Sequence, residues 1–491
     1  MLELIAVTYG DGSRWRFWEN CFGFKQIGAM NFPLSLEALV QNQGNSNFDF
    51  KRYRKACIDR IESLDCELGA VISINTDEPP SAVHGPFSGI PVLVKDNIET
   101  RDPLPTTAGS LALVNNVTLR DASCISNLRA VGMHILGKTN LTEWANFRSK
   151  RGISGWSAVG GQTHNPFRLG YSPCGSSSGS AVAVAVGMAP AAVGSETIGS
   201  IVCPAATTGV VGLKPTRGLI DTDGIIPISH ALDTPGPITR TVTDAGILLG
   251  LLSRKRFLLE GRQTSQLRIG VLTPAPDYSK EILAKLERVL TTVEKEGGLV
   301  ERGISYASDY ENKAAGYSLM KHSFRKDLEK YFSSLNNDCC DLTLEKLVAF
   351  NEEHSDRELA YFGHEIFTDI LSSPLLGSSE LYAREQRVIS DSAHAIDSLL
   401  KEHFVDVLIG FTNAPAWEID YSTGDGPLFT ADVADHPAIA GYPHLTLPFD
   451  SMDGFPIGLS VIGSQGRDKL VLETGMAIEN IIDFHPWQVF D

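Results

Sequence analysis

The sequence predicts an α/β fold, a sheet with helices packed against it, from three observations. An apolar run bounded by Gly and Pro, GPFSGIPVLVKDNI at 85–98, ends in a Lys-Asp pair, as a buried strand does when it delivers polar groups at its exit. Strand signals alternate with helical blocks before residue 245, and strand signals return after 405. The chain has 491 residues, 43% hydrophobic and 21% charged, which is ordinary globular usage able to bury a sizeable core. Length alone allows one large α/β unit or two to three average domains.

Residues 1–29 show no clear period but carry Trp15, Phe17, Trp18, Phe22 and Phe24. They read as an N-terminal extension, either docked on the protein or encoded upstream of its true start. The segment lacks a basic start, an apolar stretch and a small-residue cleavage site, so the expected compartment is the cytoplasm. From residue 30 the pattern is conventional. Ser35 is a cap for a helix over 36–41, Phe50 to Leu64 has apolar residues at helical spacing, and a strand follows at 70–74. After the run at 85–98 come a helix over 124–131, a short strand at 134–137 and a short helix over 142–147. Residues 149–180 are loop-rich, 180–188 is a strongly helical Ala/Val block, and 191–194 is another short strand. From about 256 to 404 strands and long polar helices appear without a chemical motif, the pattern of a peripheral layer. Strands return at 405–410, 444–448 and 457–462, and a helix over 469–482 closes the chain.

The net charge of −17 argues against a nucleic-acid surface, because such surfaces concentrate Lys and Arg. No apolar run approaches the roughly 20 residues that span a bilayer. The eight cysteines form no CxxC repeat or Cys/His cluster, so all are expected as reduced thiols, and no metal site is implied.

Three pieces carry chemistry together: Lys95 at a strand exit, the loop CGSSSGS at 174–180, and the turn GSETIGSIVCPA at 194–205. Singly each is weak, since Gly and Ser are ordinary turn and cap residues and a Lys after a strand is ordinarily solvated. In this order and spacing they resemble the amidase signature family, whose defining stretch is a Gly/Ser-rich loop, an Ala-rich helix and a Gly-Ser-Asp/Glu-Thr turn into Gly-Ser-Ile. The resemblance continues through DGIIPISHALDTPGPITRTVTDA at 223–245 and spans roughly residues 30–490. TNAPAWEIDYSTGDGP at 412–427 and AGYPHLTLP at 440–448 are similar to amidases resembling the peptide amidase that removes C-terminal amide groups.

The resemblance implies one domain over 30–491, with a core motif block at 85–245 and a central mixed sheet of many strands covered by helices on both faces. It implies Ser200 as nucleophile, Ser176 after a cis peptide bond as proton relay, and Lys95 as base. It places the oxyanion hole at the backbone N–H groups of Thr197, Ile198, Gly199 and Ser200, with Ser177 and Asp96 as supports. No cofactor is implied. The substrate is expected to be a small or peptidic amide, with neither nucleic acid nor membrane as partner, and the protein to be a monomer or homodimer. The logic is coherent, since a serine hydroxyl needs a neighbouring base. Lys serves only when neutral, and moving its pKa from about 10.4 to about 7 or 8 costs roughly 3–5 kcal/mol, which burial can supply.

The chain departs from the family pattern at Ile198, where relatives usually have Gly or Asp, and a β-branched residue resists unusual backbone angles. Cys174 and Ser178 replace glycines, and Val202 stands where many relatives carry Arg. Within the family the alternatives are acyl transfer to an amine and a non-hydrolytic amidotransferase-type subunit. A phosphate loop fails for want of the Lys-Ser/Thr ending. Gly175 to Gly179 fits the five-residue elbow of α/β hydrolases with Ser177 central, which a Ser/Gly-rich loop produces by chance. His164, His230 and His436 read as loop residues.

Overall fold

The computed structural model describes residues 35–491 apart from 44, 46–47, 78–84, 275–277, 306–309, 375 and 426–432; the expected extension at 1–29 lies outside the described residues. The strands are β1 (Val71–Ile74), β2 (Pro91–Lys95), β3 (His134–Thr139), β4 (Trp156–Ser157), β5 (Gly161–Gln162), β6 (Ala191–Glu196), β7 (Val211–Lys214), β8 (Thr234–Thr239), β9 (Arg268–Leu272), β10 (Leu299–Ile304), β11 (Val407–Phe411), β12 (His444–Met452) and β13 (Phe455–Ile462). Among the described residues eleven join in one sheet, in the order β1-β3-β2-β6-β8-β7-β12-β13-β11-β9-β10, while β4 and β5 form a separate hairpin. The sheet is mixed: β3, β2 and β6 are parallel, as are β11, β9 and β10, and β8, β7, β12 and β13 run antiparallel to their neighbours.

Helices flank this sheet. All eight residues of the helix Ser178–Ala185 are buried, because its small Ala and Val side chains let it lie close across β2, β3, β6 and β8. β2, β3 and β6 are buried throughout, as expected of strands covered on both faces.

Several elements depart from the sequence reading. β8 is TPGPIT, two prolines in a central strand, where their missing N–H normally excludes them. It pairs along its length with β6 but with β7 only at Ile238 and Thr239, so at Pro235 and Pro237 a single neighbour ladders. The region after 256 is more than a peripheral layer, since β9 and β10 form one end of the sheet. The helix expected over 142–147 is instead a single 3-10 turn, Glu143–Asn146, with Trp144 and Ala145 at φ 51° and 53°. Tertiary bonds override local propensity there: Thr142 N–H donates to Ser176 O (3.1 Å) and Trp144 N–H to Ala108 O (2.9 Å).

Arg148 anchors the helical layer to the core. Its buried guanidinium pairs with Glu143 and, at 3.1 Å, with Glu358, and lies 4.3 Å from the ring centroid of Phe362. Glu358 in turn accepts from Ser110 Oγ (3.0 Å) and Leu111 N (2.7 Å). Burial holds Glu143 well above the usual carboxyl range. Arg148→Ala strands two buried carboxyls and is expected to destabilise the fold by roughly 3–5 kcal/mol. Chemical unfolding checks this, and a loss below about 1 kcal/mol would contradict it.

Candidate active site

β2 and β6 are parallel neighbours with Leu93 opposite Ala192 and Val94 opposite Val193, so their carboxyl ends, Lys95 and Glu196, meet at one edge of the sheet. Ligand sites of open α/β sheets form at such ends. Lys95 is fully buried. Its Nζ donates to Ser176 Oγ at 2.8 Å and to the Ser195 carbonyl at 3.0 Å. Burial pushes the amine down to about 7, opposed by the negative charges of Glu196 and Asp233.

The two motif segments are laced together at this edge. The Gly175–Ser176 peptide bond is cis. Ser177 N–H donates to Ser200 O at 3.1 Å, and Ser177 Oγ donates to Ser195 O, also at 3.1 Å. Ser176 is fully buried while Ser200 is 8% exposed, so Ser200 is the serine on the open side. A Cβ on Gly175 would lie 2.2 Å from Thr142 Oγ1, which excludes any side chain there.

The turn over 197–200 follows directly from β6. Glu196 is buried, and its Oε2 accepts from Ile201 N (2.7 Å) and Val202 N (3.1 Å), capping the helix Val202–Thr207. Burial raises the Glu196 pKa, and Lys214 leads the groups that oppose the rise, the Gly199 N–H among them. Gly199 has φ +75°, a conformation that favours glycine. Ile198 has no positive φ, so its β-branched side chain meets no backbone penalty there. It packs, half-buried, against the apolar cluster that includes Trp144, Phe147, Ile226 and Ile228.

Cys174 and Cys203 form a disulfide, S–S 2.07 Å, which corrects the expectation that all cysteines are reduced. Their separation of 29 positions hid the pairing, because only folding brings the first residue of the serine loop against the helix Val202–Thr207. The bridge lies two residues before Ser176 and three after Ser200.

Asp96 does not join the Lys95 and Ser176 pair. It points to the other side of the strand exit, accepts from Thr107 N (3.1 Å) and Thr107 Oγ1, and faces Lys138 Nζ at 3.4 Å. Lys138, also fully buried, donates to Ile98 O (2.6 Å) and Thr106 Oγ1 (3.0 Å). Burial lowers the Lys138 pKa and raises that of Asp96, each opposed by the other's charge. Asp96 and Lys138 thus fix the loop that leaves Lys95. His230 is half exposed and lies 2.8 Å from Asp327, which raises its pKa. Among the described residues no group of three or more His, Cys, Asp or Glu could hold a metal ion, and no helix is long and apolar enough to cross a membrane.

Sequence reasoning missed Lys138, Glu196, Asn97 and Asp233. Glu196 and Asp233 lie within the motif blocks, but their chemistry became visible only with their partners. Lys138 could have been flagged, since it follows HILG within β3 as Lys95 follows PVLV within β2.

The family model described as Amidase matches residues 56–472. A probable amidase of Arabidopsis thaliana is 32% identical over 421 residues, 80% of this chain and 76% of that protein. The indoleacetamide hydrolase of Pseudomonas savastanoi is 31% identical over 476 residues, covering 93% of this chain and 98% of that protein. Among solved structures, the native peptide amidase of Stenotrophomonas maltophilia superposes with a TM-score of 0.81 at 36% identity, over 92% of this chain and 99% of that one. A peptide amidase bound to the competitive inhibitor chymostatin gives 0.82 at 36% identity, over 92% and 98% of the two chains. The chain belongs to the amidase family, enzymes that hydrolyse carbon–nitrogen bonds of amides.

Proposed function

We propose that the protein hydrolyses a carboxamide, a peptide C-terminal amide or a small amide, through an acyl enzyme on Ser200. The observation that carries this reading is the 2.8 Å contact between the fully buried Lys95 amine and Ser176 Oγ. With its pKa pushed down to about 7, Lys95 is substantially neutral at neutral pH and can accept a proton. Ser176 passes the Ser200 proton to Lys95 as Ser200 Oγ attacks the carbonyl carbon. The oxyanion that forms faces the N–H groups of Thr197, Ile198, Gly199 and Ser200, preorganised donors in a largely water-excluded turn. Collapse of the tetrahedral species breaks the C–N bond and returns the proton to the leaving nitrogen, so ammonia or an amine departs. Water then attacks the acyl enzyme by the same relay. Ser177 braces Ser195 and Ser200, and Asp96 braces the exit of the strand bearing Lys95.

The peptide amidase relatives support a peptidic amide, at 36% identity over nearly the whole chain. Ammonia release from a panel of short peptide amides and from aryl and alkyl carboxamides tests the reading. Release from none of them would contradict it. Repeating the assay with added hydroxylamine tests the acyl enzyme that hydrolysis and acyl transfer share, because its capture yields a hydroxamate in proportion to the amine.

Ile198 packs where the turn meets the apolar cluster, so trimming it changes the wall beside the reacting carbonyl. Ile198→Ala is expected to shift the ratio of kcat/KM between alkyl and aryl amides by on the order of tenfold. Kinetics identical to the parent on both would make the residue neutral.

A further inference from the structure

We propose that Asp233 is a positioning residue of the active centre: its carboxylate holds the Thr197 hydroxyl, fixing the start of the turn that carries Ser200 and joining it to the loop at 225–229. This rests on the reading that the turn over 197–200 receives the oxyanion.

The geometry follows from the sheet. β6 and β8 pair antiparallel with Glu196 opposite Thr234 at the end of the ladder. One step further along the same register, Thr197 faces Asp233, just beyond the last strand pair. There the backbone ladder stops and a side-chain bond takes over, with Thr197 Oγ1 donating to Asp233 Oδ1 at 2.6 Å. The other oxygen, Oδ2, accepts from Ile228 N (2.8 Å) and Ser229 N (3.0 Å). Asp233 is 7% exposed, so this hydroxyl-to-carboxylate bond is sheltered from competing water.

Each residue leading into the turn is held by a different partner. Ser195 is held through its carbonyl by Lys95 and through its hydroxyl by Asn97, and Glu196 by the amides of Ile201 and Val202. Thr197 is held by Asp233. The loop on the far side of Asp233 is tied back to the same centre, since Ile226 N–H donates to Asn97 O at 2.8 Å. Ala145, Thr197, Ile226, Ile228 and Asp233 line one narrow cleft. A shift of that loop therefore reaches the Thr197 amide through one carboxylate, two bonds away.

The test compares Thr197→Val, Thr197→Ser and Asp233→Ala, with kcat and KM measured separately on an amide the parent hydrolyses and with fluorophosphonate labelling of Ser200 run in parallel. The expected result is a kcat lower by about 10- to 100-fold for Thr197→Val, with KM changed by less than about threefold. Thr197→Ser, which keeps the donor, is expected to stay within about threefold of the parent kcat. The double variant Thr197→Val/Asp233→Ala is expected to be no slower than Asp233→Ala alone, because Thr197 then has no carboxylate bond left to lose. A parental kcat in Thr197→Val, or an equal loss in the Ser and Val variants, would overturn the proposal. If Thr197→Val does not fold, Asp233→Ala, which removes the acceptor, carries the test, and undiminished kcat overturns it. Labelling keeps the two readings apart: a parent labelled at Ser200 whose Thr197 and Asp233 variants turn over normally refutes the positioning role alone, whereas a parent not labelled at Ser200 refutes the nucleophile.

Discussion

Ser200→Ala is expected to lower kcat for amide hydrolysis by roughly 10⁴- to 10⁶-fold, to the residual rate that binding and backbone donors supply alone. The loss is large because a relay acts as a unit. Without the attacking oxygen, Ser176 and the lowered Lys95 amine have no proton to move. The fold should persist, since the change removes one oxygen from a residue at the open side of the site, 8% exposed. Far-ultraviolet circular dichroism and the unfolding midpoint are therefore expected to match the parent. Substantial amidase activity in a folded Ser200→Ala protein would refute the nucleophile assignment.

Lys95→Ala is expected to cost on the order of 10²- to 10⁴-fold in kcat/KM at pH 7 and to change the pH profile. The direction of the profile follows from the role. A base works when neutral, and burial has pushed this amine down to about 7. Below that pH the ammonium form accumulates, so parental kcat/KM should fall about tenfold per pH unit, and above it the rate should level off. Glu196 and Asp233 act in the opposite sense, holding the amine's pKa higher than burial alone would set it. Lys95→Ala should lose that acid limb along with the rate. An unchanged rate, or an acid limb retained in the variant, would show that another group is the base.

Much of the centre of the fold was legible because its signals are local. The run 85–98 had to be a strand that ends in Lys95, and the Ala/Val block after the serine loop had to be a buried helix. Ser35 caps its helix as expected, accepting from Ala38 N at 3.1 Å. What the sequence hid depends on partners far along the chain. β8 escaped notice because its two prolines argue against a central strand, and only the early departure of β7 makes room for them. The 142–147 turn looked helical by composition, but bonds to Ser176 and Ala108 draw it into a left-handed path. The disulfide joins residues that no spacing rule links. Lys138 drew no notice in the sequence, yet it is buried against Asp96 and the loop that leaves Lys95. The motif residues themselves were easier to read than the groups that hold them, since they leave a pattern in the chain while their supports are defined only by contact.

The most direct measurement is to react the purified protein with a fluorophosphonate, map the modified residue by peptide mass spectrometry, and follow amide hydrolysis in the same sample. The expected result is one phosphonyl group on Ser200, slowed by a hydrolysable peptide amide, absent in Ser200→Ala, and accompanied by loss of ammonia release in proportion to labelling. Full amide hydrolysis by protein labelled at Ser200, or inactivation by a label on another residue, would contradict the account.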